Sequence, residues 1–90
     1  MNGIWMEGPA RISLFLYDND TLIVYPYVME GTQRVKIGLH IKDAKGLKAA
    51  GGLNIRRQEE ARLLYTDARG ESVFELTAMP GQYKLYRIER

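Results

Sequence analysis

The sequence has no cysteine, one histidine, one tryptophan and three prolines among its 90 residues. The missing cysteine removes disulfide frameworks, cysteine-ligated zinc, iron–sulfur clusters and thiol nucleophiles together. A disulfide-dependent secreted scaffold is thereby excluded, but a bacterial periplasmic or extracellular location stays open, because such proteins often lack cysteine. No stretch approaches the roughly 18 unbroken apolar residues of a membrane helix. Residues 1–9 have neither the basic start nor the apolar run of a signal peptide. A soluble chain with no membrane partner is expected. No excess of one charge sign exists either: 13 Lys and Arg face 11 Asp and Glu, for a net +2. Arg56-Arg57 is followed at once by Glu59-Glu60, so the sequence offers no concentrated basic face, and no nucleic-acid partner is predicted.

The groups that carry out chemistry are equally scarce. His40 alternates with Lys36 and Lys42, which predicts a solvated surface histidine. Ser13 and Ser72 have no base other than His40 to activate them. Gly51-Gly52 lacks the Lys-Ser/Thr that follows in a phosphate loop, and no carboxylate pair suited to glycoside cleavage is recognisable. Asp18-Asn19-Asp20 opens like a calcium loop, but Leu22 and Ile23 stand where an oxygen ligand and a glycine are needed. A hairpin turn is the better reading, since Asp and Asn bond their own backbone. Neither catalytic residue nor metal nor cofactor is expected.

What is present is a globular composition, 46% hydrophobic and 27% charged, with a two-residue periodicity. Met1 to Pro9 reads as a loose, flexible lead-in, and residues 10–90 as one domain. Ala10 to Tyr17 alternates like a strand, and Thr21 to Val28 returns from the turn, with Pro26 placing that stretch at a sheet edge or a bulge. Turns are predicted at Glu30–Gln33, Asp43–Gly46, Thr66–Gly70 and Met79–Gly81. Between them, Val35, Ile37, Leu39 and Ile41 share one face. Leu47 to Ala50 is a short strand stopped by Gly51-Gly52. Leu53 to Tyr65 is ambiguous, with a bent or bulged strand favoured over a short helix. Glu71 to Ala78 turns Phe74 and Leu76 inward, and Gln82 to Glu89 forms the last strand. About seven short strands at this spacing predict an all-β, antiparallel β-sandwich.

Nine aromatic residues remain to be placed. Phe15, Tyr17, Tyr25 and Tyr27 are expected to form one stripe across the first hairpin. Such a stripe serves interdomain packing, and less often a carbohydrate platform.

The segment Ser13-Leu14-Phe15-Leu16-Tyr17-Asp18-Asn19-Asp20-Thr21-Leu22-Ile23-Val24, with Pro80-Gly81-Gln82-Tyr83-Lys84-Leu85-Tyr86-Arg87-Ile88, resembles the C-terminal β-sandwich domains of multidomain bacterial glycoside hydrolases of the β-galactosidase or arabinofuranosidase kind. The likeness covers both ends and leaves Leu47 to Tyr65 unmatched. It implies a non-catalytic accessory domain whose partner is the catalytic domain of the same polypeptide. An autonomous carbohydrate-binding module and a small protein-interaction or assembly domain are the competing readings.

Overall fold

In the computed structural model, residues 3–9, 11–28, 35–52, 61–78 and 83–90 are described. They form eight strands: β1 (Ile4–Glu7), β2 (Arg11–Leu16), β3 (Thr21–Val28), β4 (Val35–Lys42), β5 (Gly46–Gly52), β6 (Arg62–Thr66), β7 (Glu71–Ala78) and β8 (Lys84–Glu89). No helix occurs among the described residues. Sheet A has the order β1-β4-β7-β6 and sheet B the order β2-β3-β8-β5, and all the pairings are antiparallel. The two sheets pack face to face as a β-sandwich.

The alternation read from the sequence supplies the core. Ile37, Leu39, Ile41, Phe74 and Leu76 point inward from sheet A, and Leu22, Val24, Leu47, Tyr86 and Ile88 from sheet B, in one apolar cluster. Because successive strand side chains face opposite sides, this choice also fixes what the outer faces carry.

Three expectations need correction. The lead-in contains the eighth strand: Ile4–Glu7 pairs with Ile41 to Gly38 of β4, and Ile4 is buried in the core. Ile4 and Met6 do alternate toward the core, but four residues are too short a run to read a period from. Gly51-Gly52 does not stop β5, because both glycines continue the ladder opposite Leu85 and Lys84, past an irregularity between Ala49 and Gly51. Glycine beside a bulge is compatible with a strand. His40, expected on a solvated face of β4, is buried.

Other expectations hold. Pro26 lies beyond Val24, where the β3–β8 ladder ends, and next to a register shift between Arg11 and Ile12. β6 is irregular between Leu63 and Tyr65, which agrees with a bulged strand; residues 53–60 lie outside the described residues, as do the turns expected at 30–33 and 79–81.

Candidate functional site

β2 and β3 are joined by the Asp18-Asn19-Asp20 turn, whose geometry sets the register of the strands on either side. Asp18 Oδ1 accepts hydrogen bonds from the amides of Asp20 (2.8 Å) and Thr21 (2.7 Å). These bonds, first that from the Asp20 amide, then one from the Thr21 side chain, hold the Asp18 carboxyl below its ordinary 3.8 against the opposing effect of desolvation. The carboxylate therefore works on backbone amides. The Tyr17 amide closes the hairpin onto the Thr21 carbonyl at 2.9 Å.

With that register, Phe15 pairs with Ile23 and Ser13 with Tyr25, while Leu14 and Leu16 pair with the core residues Val24 and Leu22. Phe15, Ile23, Tyr25 and Tyr27 must then face away from the core. β8 adds Leu85 beside Ile23. Phe15, Tyr17, Ile23, Tyr25, Tyr83 and Leu85 line an open depression of about 520 Å³ on the outer face of sheet B. Tyr17 is 78% exposed and Phe15 55%, unusual for large rings on a sheet with a filled core behind it. Three of the four expected stripe residues thus meet in one depression. Tyr27 lies two residues further along the same face, exposed but outside the lining. Ile23, Tyr83 and Leu85 were not foreseen there. Alternation along β3 places Ile23 with Tyr25, but nothing local reveals that β8 lies beside β3.

The outer face of sheet A is different. His40 is buried, at 6% exposure, and not solvated between Lys36 and Lys42 as the alternation suggests. Its side chain does point away from the core, but β1 brings Trp5 opposite it. The two rings stack with centroids 3.6 Å apart and planes 12° from parallel. His40 Nδ1 lies 3.1 Å from Glu71 Oε1, and Nε2 lies 3.1 Å from Glu7 Oε1. Gly38 makes room for this: a Cβ there would come within 3.3 Å of the Glu7 side chain. Ser72 is fully buried; its hydroxyl donates to the Ala44 carbonyl at 2.6 Å and lies 2.8 Å from Thr66 Oγ1. One proton cannot serve both neighbours, so Thr66 donates to Ser72. The histidine and this serine are thus engaged in structural bonds. Among the described residues, no group of three or more His, Asp or Glu side chains is arranged to hold a metal ion.

A family model for the C-terminal domain of probable glycosyl hydrolases matches residues 3–88. The chain belongs to that family. The match spans β1 to β8, so both outer faces belong to the family domain. It also takes in the middle of the chain, where the resemblance read from the sequence had no counterpart. No curated protein and no solved structure matches the chain. In this glycosyl hydrolase C-terminal domain, the exposed rings of sheet B gather around one depression and have no part in the core cluster.

Proposed function

We propose that this glycosyl hydrolase C-terminal domain is a non-catalytic accessory domain that packs on the catalytic domain of the same polypeptide through the outer face of sheet B. The observation that carries the proposal is the clustering of Phe15, Tyr17, Ile23, Tyr25, Tyr83 and Leu85 around one depression. Exposed apolar residues scattered singly need no explanation, but a contiguous apolar patch on a small domain marks a surface that is covered in use. A domain of 90 residues buries only about two thirds of its unfolded surface, so covering this face stabilises both partners.

The test uses the full-length hydrolase and the 90-residue chain in parallel, each with Phe15→Ser and Tyr25→Ser combined. Burying one aromatic side chain contributes about 1.5–3 kcal/mol. The double variant should therefore lower the unfolding midpoint of the hydrolase while leaving that of the 90-residue chain nearly unchanged. Equal midpoints for wild-type and variant hydrolase would remove the packing role. The same rings are the ones a carbohydrate-binding module would use, since flat aromatic faces offer a large contact at small entropic cost. Retardation of the 90-residue chain in a polysaccharide affinity gel, lost in the double variant, would favour that second reading.

A further inference from the structure

The Glu7–His40–Glu71 cluster contains more hydrogen-bond acceptors than a neutral imidazole can satisfy. An ionised carboxylate only accepts, and a neutral imidazole donates from one nitrogen only. Yet both ring nitrogens of His40 face carboxylate oxygens, each at 3.1 Å. The arrangement closes only when it holds one further proton. With that proton both contacts are hydrogen bonds; without it one becomes a lone pair facing a lone pair. The side chains involved come from three strands: Glu7 from β1, His40 from β4 and Glu71 from β7. Trp5 of β1 covers the imidazole, and a ring face also favours the cationic form.

Among the described residues, the ion pairs of Glu7 and Glu71 are those with His40. Lys42 is the register partner of Glu71. Lys36 reaches Glu75 at 3.5 Å. β1 itself contributes Glu7 as its one charged residue. It is an edge strand, held by a single neighbour, β4.

We propose that Glu7, His40 and Glu71 form a proton-dependent latch that fastens the edge strand β1 to sheet A. The latch is closed while the cluster holds that further proton, and opens when a rise in pH removes it. Release of the proton turns a charge-assisted clamp into a single hydrogen bond facing a second, unpaired carboxylate, and β1 detaches more often while β4 and β7 stay paired. The latch does not depend on what covers sheet B.

Amide hydrogen exchange on the 90-residue chain tests it, with the amides of β7 as the internal reference and rates corrected for intrinsic base catalysis. Between about pH 5.5 and about pH 8.5, the protection of β1 should fall about tenfold or more, as expected for loss of one hydrogen bond to a charged group, while that of β7 holds. Glu7→Gln supplies the control. The carboxamide it introduces donates to the unprotonated Nε2 of His40, so protection of β1 should become independent of pH. Glu7 has a side chain 63% exposed, and its replacement leaves the core untouched. His40 and Trp5 are each the sole residue of their kind, so the imidazole resonances and tryptophan emission report the same transition without assignment. β1 protection that is flat with pH in the wild type overturns the latch, as does a Glu7→Gln variant that follows the wild-type profile.

Discussion

At the scale of single residues, two aspartates do similar work at opposite ends of the chain. Asp18 Oδ1 receives the amides of Asp20 and Thr21, and Asp67 Oδ1 those of Arg69 and Glu71. Each carboxylate satisfies donors that a tight hairpin leaves without backbone partners. For Asp18 this has a consequence in acid. Its carboxyl titrates below 3.8 in the folded chain, so it contributes stability that is present above its unfolded value and lost as pH falls through the lower, folded one. Thermal melts should show Asp18→Asn less stable than wild type at about pH 7, with the gap closing at about pH 2. A constant gap would mean that the side chain's charge has no part in the turn. The turn residues were legible from sequence because their chemistry is local. His40 was not: its partners Glu7 and Glu71 lie 33 and 31 residues away, and the alternation of β4 says which way the ring points but not what lies over it.

At the scale of elements, the chain changes sheet after β1, β3, β4, β5 and β7. The first of these crossings turns at Gly8, with φ of 146°. A Cβ at Gly8 would lie 3.0 Å from Ile37 Cγ2 and 3.3 Å from backbone atoms of Ile37 and Lys36, so both the dihedral and the space demand glycine. Gly8→Ala should destabilise the fold by about 1–3 kcal/mol, measured by denaturant unfolding, and unchanged stability would show that the crossing can relax. β4 announced itself by the alternation of Ile37, Leu39 and Ile41 with non-apolar residues. β1 and the glycine end of β5 did not, because their placement depends on partners supplied from elsewhere in the chain: Ile41 to Gly38 for the first, Leu85 and Lys84 for the second.

At the scale of the whole molecule, the sandwich presents two unlike outer faces. Sheet A covers its histidine with Trp5 and exposes Leu63, Leu64 and Tyr65 along its edge strand β6, whereas sheet B gathers Phe15, Tyr17 and Tyr25 around one open depression. Three residues of the depression were readable because one hairpin carries them all; Tyr83 and Leu85 required knowing that β8 pairs with β3. The class of fold could be read from strand spacing, but the order of strands within each sheet could not, since it depends on pairings far apart along the chain.

That order has a consequence for how the chain comes to be folded. β8 lies between β3 and β5 in sheet B, so the strand that joins those two is synthesised after both. Until Lys84–Glu89 has left the ribosome, β3 and β5 have no strand to join them, and Tyr86 and Ile88 are missing from the core. Closure of such distant pairings is slow compared with local hairpins. Nascent chains arrested so that residue 83 is the last to emerge should remain protease-sensitive, and those with residue 90 well clear of the exit should resist. Resistance in the shorter chains would show that seven strands suffice.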